Sequence, residues 1–281
     1  PHVEQPSCGR HRAKVLYFKD YSIMKKYKHP FRHTAFVLAY TLFIMSFLSS
    51  CVTNDEYPNT VQGNAEALWK ILDEHYCFFE QKGIDWNAVR NKYLKQFDNS
   101  MTERQQFEVM ANMLSELKDG HVNLYTSFNA ARYWSWREDY PQNYSDSLLR
   151  KYLKTDYLIA SGLDYTILDA NIGYLRCESF QRGIGAGNLN DILLYIQPCR
   201  ALIIDVRNNG GGALNNAEEL AARFTNKSLL VGYMQHKTGK GHNDFSPMKQ
   251  QILKPGKGIR WQKPVFVLTN RSVFSAANEF V

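Results

Sequence analysis

The sequence offers little from which a metal site or a disulfide framework could be built. Its five cysteines (Cys8, Cys51, Cys77, Cys177 and Cys199) are scattered, with no C-x-x-C pair, so neither a zinc pattern nor a disulfide ladder emerges. A phosphate loop of the form GxxxxGK[ST] is absent, and the glycines do not fit GxGxxG. Charge of one sign is also scarce through most of the chain. The formal net charge is +7, yet residues 1–50 hold eight Lys/Arg against two Asp/Glu, and the remaining 26 and 25 nearly cancel. The body therefore carries no nucleic-acid footprint. No internal repeat or low-complexity tract lies between Gly63 and the end. Core-forming residues are plentiful: 44% of the chain is hydrophobic and 14% aromatic, which suits a globular fold.

The basic surplus belongs to the N-terminus. From Met24 the sequence reads "MKKYKHPFRHTAFVLAYTLFIMSFLSSC". A basic start (Lys25, Lys26, Lys28, Arg32) is followed by an uncharged apolar stretch from Ala35 to Leu48 and then by small residues. That is the three-part plan of a secretory signal, and the stretch is short for a bilayer-spanning helix. "LSSC" resembles a bacterial lipoprotein signal, in which the cysteine after the cut, Cys51, becomes the lipid-bearing first residue. A plain signal peptide or a membrane anchor is the alternative. The expected plan is an upstream extension outside the fold (1–23), a signal (24–50) and a polar, turn-rich tether (51–63). Such a chain would sit in the bacterial cell envelope, held by the several lipid chains that stable anchoring requires. Val52 offers no retention signal, which favours the outer membrane. Cys77, Cys177 and Cys199 read as small buried apolar residues.

A helical section is expected over 64–120. Leu68, Leu72, Tyr76 and Phe79 recur at helical spacing. Asp85 can cap a second helix carrying Trp86, Val89, Tyr93 and Phe97. Thr102 with Gln105 makes a capping box for a third, with Phe107, Met110, Leu114 and Leu117 as its stripe, and Asp119-Gly120 breaks it. Residues 126–160 are rich in Tyr and Trp, and read either as a loop packed over the core or as an aromatic wall for an extended substrate. From 165 onward, strands ("YTILD", "IGYLRC", "ALIIDV", "SLLVGYM", "VFVLT") alternate with helices of about ten residues, which predicts a largely parallel sheet in an α/β section over 121–281.

The most distinctive stretch is "ALIIDVRNNGGGALNNAEELAARF", an apolar strand running into Asp205, Arg207 and a glycine triplet at 210–212. Glycines there let the backbone turn tightly and bring bare N–H groups to a negative atom, either a phosphate or the oxyanion of acyl transfer. A second strand-to-helix junction, "VFVLTNRSVFSAANEF", places Ser275 at the start of a helix. Serine is a favoured N-cap, and the same position suits a nucleophile if a base is supplied. His75 reads as structural, and His236 and His242 lie in a polar loop. His121, in "LKDGHVNLY", sits at a turn where a strand begins, either as a capping residue or as that base.

Taken together, "LKDGHVNL", "IGYLRCESF", "LIIDVRNNGGG" and "VFVLTNRSVFSAANEF" resemble the C-terminal processing (tail-specific) proteases and their tricorn-core relatives. These are serine peptidases of the ClpP/crotonase superfamily. The resemblance covers about residues 64–281, and the arrangement is similar to envelope lipoproteins of Bacteroides-like bacteria. It implies an α/β, ClpP/crotonase-like protease core over 121–281 behind an N-terminal helical subdomain, acting on polypeptides without metal or organic cofactor. It assigns Ser275 as nucleophile, His121 as base, and the N–H groups of Ala276 and of Gly211 or Gly212 as the oxyanion hole.

Two departures follow. About 45 residues separate His121 from "YTILD", which leaves little room for the PDZ domain common in tail-specific proteases. Both branches of the family also use a residue downstream of the serine, a lysine or a glutamate, which would lie beyond Val281. A C-terminally truncated and inactive fragment is therefore expected. The leading expectation is a lipid-anchored serine endopeptidase. Its rivals are a non-catalytic envelope lipoprotein that binds peptide or lipophilic ligands, and crotonase-type acyl-CoA chemistry.

Overall fold

The computed structural model describes residues 57–154 and 157–281, so the expected signal and the lipid cysteine Cys51 lie outside the described residues. Among the described residues no helix is long and apolar enough to cross a membrane. Two compact units divide the chain. The first takes residues 57–72, Asp85–Glu116 and His121–Arg132, and the second takes Asp73–Ile84, Leu117–Gly120 and 133–281.

The first unit is built from helices whose ends are set by the caps expected from the sequence. Helix α1 (Val61–His75) ends before Phe79, which belongs to the separate one-turn helix α2 (Phe79–Lys82) of the second unit. Asp85 Oδ1 accepts the Ala88 N–H at 2.9 Å and starts α3 (Trp86–Tyr93). Thr102 and Gln105 form the full capping box that opens α4 (Glu103–Ser115), satisfying two amide donors that a helix start leaves without partners. Helix α4 stops at Ser115, four residues before Asp119. A short hairpin, β1 (Asn123–Tyr125) with β2 (Ala130–Arg132), completes the unit. In its core Trp69 and Trp86 are buried, and their indoles are mutually satisfied. Trp69 Nε1 donates to the Trp86 carbonyl at 3.0 Å, and Trp86 Nε1 donates to the Trp69 carbonyl at 3.1 Å. A buried indole N–H normally needs such a partner, and here one pair of residues supplies both.

The second unit holds a five-stranded sheet in the order β3 (Leu158–Ala160), β4 (Leu163–Leu168), β5 (Ile172–Cys177), β6 (Ala201–Asp205), β9 (Val265–Leu268). The sheet is mixed, not largely parallel: β3, β4 and β5 pair antiparallel, and only β5–β6 and β6–β9 are parallel. Loop length explains the correction. Three residues, Asp169–Asn171, join β4 to β5, with Ala170 and Asn171 at φ 60° and 62°. So short a link reverses the chain, whereas a parallel neighbour needs a crossover of a dozen or more residues. Helix α6 (Ala186–Tyr195) supplies such a crossover from β5 to β6, and α7 (Leu214–Ala221) lies on the path from β6 to β9. Helix α5 (Asp146–Leu153) precedes β3. The expected strand "SLLVGYM" leaves the sheet altogether. As β7 (Leu229–Met234) it pairs with β8 (Lys249–Leu253) in a separate ribbon that exposes Leu230, Val231 and Tyr233.

Strand alternation divides the sheet into an apolar and a polar face. Leu175, Cys177, Leu202, Ile204 and Val206 pack with Leu189, Ile192 and Leu193 of α6 and with Ala217 and Leu220 of α7. The intervening residues put Tyr174, Arg176 and Asp205 on the other side, with Arg176 and Asp205 paired across β5 and β6. The loop after β8 is fastened by a buried cation. Arg223 donates to Asn190 Oδ1 at 2.7 Å and to the Ile259 carbonyl at 3.2 Å, while its own carbonyl accepts the Trp261 N–H.

Replacing Trp86 by Phe would retain most of the buried area but remove the indole donor to the Trp69 carbonyl, which keeps only its bond within α1. Losing one such hydrogen bond costs roughly 0.5–1.5 kcal/mol. Urea unfolding should show a lower midpoint with an unchanged slope.

Candidate active site

Two turns at the same end of adjacent parallel strands build the site. The one after β6 carries Arg207, Asn208, Asn209 and the glycine triplet. The one after β9 carries Asn270 to Phe274 and leads into α8 (Ala276–Phe280). A reciprocal pair of amides clasps them: Asn270 Oδ1 accepts the Asn208 N–H at 2.9 Å, and Asn270 Nδ2 donates to Asn208 Oδ1 at 2.6 Å. Asn208 sits at φ 63°, a left-handed conformation that asparagine tolerates better than most residues.

The clasp brings the backbones closer than a side chain would allow. Gly211 has φ 89°, and a Cβ placed on it would stand 2.6 Å from the Phe274 carbonyl oxygen, 2.8 Å from Ser275 Cβ and 3.0 Å from the Ala276 nitrogen. Gly212, at φ 145°, is pressed against Phe180, where a Cβ would meet the backbone carbonyl carbon at 2.2 Å. The Phe180 N–H donates to the Gly211 carbonyl at 2.9 Å and the Ala213 N–H to the Phe180 carbonyl at 3.0 Å, fixing the turn from outside.

Ser275 itself is half-buried at φ 55°, ψ −130°. It precedes a helix without capping it, since its side chain makes no cap hydrogen bond. A non-glycine residue in this region costs on the order of 1–3 kcal/mol, and such strain persists only where its surroundings over-determine it. Here the surroundings are identifiable. The Phe274 N–H donates to the Asn209 carbonyl at 3.1 Å, and the Phe274 ring stacks on Trp136 at 5.3 Å between centroids and 19° between planes.

The amides around Ser275 are not equivalent. The Gly211 N–H donates to Asn209 Oδ1 at 2.8 Å. The Gly212 N–H and the Ala276 N–H find no acceptor among the described residues. Ala276 opens its helix, and the first amides of a helix have no intrahelical partner.

On the polar face, Asp205 is 0% exposed and fully engaged. Tyr174 O–H donates to Oδ2 at 2.7 Å, and Arg207 grips both oxygens, Nε to Oδ1 at 2.9 Å and Nη2 to Oδ2 at 2.6 Å. Burial alone would push the Asp205 carboxyl up, but these hydrogen bonds hold it below the ordinary carboxylate range. Burial and the bond to Asp205 push the Tyr174 phenol up. Arg207 then reaches on with Nη1 to the Asn143 carbonyl at 2.9 Å, and its guanidinium lies over the Tyr144 ring beside that of Arg176.

The aromatic segment thus packs over the sheet and over the serine turn. Arg271 Nε donates to the Trp136 carbonyl at 2.7 Å, and Asn143 Nδ2 to the Thr269 carbonyl at 3.2 Å. Trp134, Tyr140, Arg271 and Ser272 are among the residues lining a cleft of about 460 Å³. The segment packs over the core, as the loop reading expected, and it also lines this cleft next to the serine turn.

Comparison with known proteins agrees with this geometry. Residues 171–281 match the model of peptidase family S41, and residues 57–115 match that of the tricorn protease C1 domain. A "putative peptidase" from Parabacteroides merdae, known from a crystal structure, is 44% identical with a TM-score of 0.74, over 79% of this chain and 71% of that one. The chain belongs to peptidase family S41, a family of serine-type peptidases. Two "probable CtpA-like serine proteases" of Staphylococcus epidermidis are 29% identical over 130 residues, which is 46% of this chain and 25% of theirs. The match spans a quarter of the length of these curated relatives. Mature CPAF, solved in complex with lactacystin, shares the fold at 11% identity and a TM-score of 0.56, over 79% of this chain and 81% of that one.

Of the residues singled out from the sequence, Ser275, Ala276, Gly211 and Gly212 meet in the second unit of this S41 chain. His121 stands exposed in the first unit, at the turn before β1, where its carbonyl accepts from Asn123 Nδ2 at 3.1 Å. Reading the sequence missed three asparagines that shape the site, Asn208, Asn209 and Asn270. The signal was present, since "RNNGGG" and "TNRS" place asparagine beside turns that need positive φ.

Two measurements probe this construction. Gly211→Ala should destabilise by at least roughly 1–3 kcal/mol through strain alone. Gly210→Ala, whose Cβ meets nothing within 4 Å, should stay within about 0.5 kcal/mol of the parent. Chemical denaturation of the pair checks the contrast. The second concerns pH. Because the folded carboxyl of Asp205 is depressed, its ionised network stabilises the fold above the unfolded aspartate value of about 3.9 and loses that effect as pH falls through the folded value. In Arg207→Met, burial takes over and the carboxyl rises. The acid-unfolding transition, followed by circular dichroism, should then move to higher pH.

Proposed function

We propose that this S41 chain is a lipid-anchored serine endopeptidase of the bacterial envelope that hydrolyses polypeptides through an acyl-enzyme on Ser275. The observation that carries the reading is the state of that serine: strained, free of a cap bond, and held against a glycine turn beside amides that lack acceptors. A serine used only to start a helix would spend its hydroxyl on the helix amides. A serine poised for attack keeps it available.

In the proposed reaction Ser275 Oγ attacks the peptide carbonyl carbon while His121 takes the hydroxyl proton. The negative charge that develops on the carbonyl oxygen is met by backbone N–H groups of Ala276 and of the glycine turn. The tetrahedral species collapses, the C–N bond breaks, and the amine leaves with the proton that His121 returns. Water, deprotonated by the same histidine, then releases the acid product and regenerates Ser275. Gly212 is the glycine donor left available, since the Gly211 N–H is already bonded to Asn209. Each such donor is worth on the order of 10²–10³ in rate. The envelope setting rests on the signal-like sequence ending at Cys51.

A fluorophosphonate probe applied to the full-length protein tests the assignment. Labelling is expected with the parent and lost in Ser275→Ala, with His121→Ala labelling far more slowly. Labelling that persists in Ser275→Ala would sink the proposal.

A further inference from the structure

Asn209 is buried at 0% exposure and joins three segments of chain. Its Nδ2 donates to the Cys177 carbonyl at 3.0 Å, at the end of β5. Its Oδ1 accepts the Gly211 N–H at 2.8 Å, within the glycine turn. Its own carbonyl accepts the Phe274 N–H at 3.1 Å, one residue before Ser275. Its side-chain nitrogen is engaged with Cys177 and its oxygen with Gly211, so its effect is one of geometry. Without it, two adjacent glycine amides could face the serine, and glycine backbone is free enough to exchange them.

We propose that Asn209 is a positioning residue that selects the oxyanion donor. By holding the Gly211 N–H its side chain leaves the Gly212 N–H as the available glycine amide, and its backbone carbonyl, which accepts the Phe274 N–H, ties the same turn to the residue before Ser275. Both bonds come from one residue, so the donor and the nucleophile are registered to each other. A stray rotation of the glycine turn would lose both the bond to Oδ1 and the alignment with Ser275. This rests on the reading of Ser275 as a nucleophile, which fails separately if the parent protein takes no fluorophosphonate.

Two variants of the full-length protein test it. Asn209→Leu removes the side-chain bonds while keeping the number and branching of heavy atoms. Asn209→Asp keeps an acceptor for Gly211 but puts a carboxyl oxygen against the Cys177 carbonyl, where it bonds only when protonated; being smaller than leucine, it remains usable should the leucine variant fold poorly. On a peptide substrate, Asn209→Leu is expected to lower kcat at least about tenfold with KM unchanged, and Asn209→Asp to lower it less. Affinity for a peptide boronic acid, which forms a tetrahedral adduct, should fall with kcat, while affinity for the product peptide stays put. Amide hydrogen exchange gives a readout that needs no activity: in the parent, Gly211 should be protected and Gly212 open, and Asn209→Leu should open Gly211. Parent-like kcat in Asn209→Leu overturns the inference. So does an equal loss of boronate and product affinity, which marks a merely structural role. Protection of Gly212 in place of Gly211 overturns it whatever the activity. With the expected exchange pattern but no labelling of the parent, the orientation of the turn stands and the Ser275 reading falls.

Discussion

Everything at the site depends on two backbone turns approaching more closely than a single Cβ would permit. Gly211 lies where an alanine methyl would stand 2.6 Å from the Phe274 carbonyl oxygen and 2.8 Å from Ser275 Cβ. That contact fixes the serine against the turn, and it explains why the surrounding hydrogen bonds are made by backbone and by short amide side chains. Longer groups would have to stand further off. The asparagine clasp between residues 208 and 270 and the bonds of Asn209 replace the bulk that glycine lacks.

The close contact in turn needs a rigid base, which the sheet supplies. Strands β6 and β9 are parallel neighbours, so the turns that follow them emerge side by side at the same end, where ligands of α/β sheets usually bind. Below them, the Asp205 carboxylate is spanned by Arg207 and Tyr174. Arg207 extends the network to Asn143, so the aromatic strap and the glycine turn share one polar strut. A buried carboxylate is tolerated only when its lone pairs are satisfied, and here hydrogen bonds outweigh desolvation.

Much of this was legible in the residues themselves. The caps at Asp85 and Thr102, the strand "IGYLRC", and the meeting of the glycine triplet with Ser275 all follow from local rules or from the ordered motifs. What escaped was decided by contacts distant in sequence. Periodicity cannot tell a strand that joins the sheet from one that leaves it, so "SLLVGYM" was placed in the wrong layer. The burial of Arg223 is set by partners at Asn190 and Ile259 that lie more than 30 residues away. Asn209 resembles an ordinary turn residue until its three partners are seen converging. The choice between Gly211 and Gly212 was open for the same reason, since it depends on where one carboxamide points.

Asn209 has a chemical liability as well as a structural role, because the residue after it is glycine. An asparagine followed by glycine is the dipeptide most prone to cyclise to a succinimide, as the unhindered amide nitrogen can attack the side-chain carbonyl carbon. Both ends of the Asn209 carboxamide are anchored, one to Cys177 and one to Gly211, and water is excluded from it. The carboxamide is therefore held away from the geometry that ring closure requires. The native fold protects its own covalent integrity at this position, and each excursion to the unfolded state exposes it to slow, irreversible ageing.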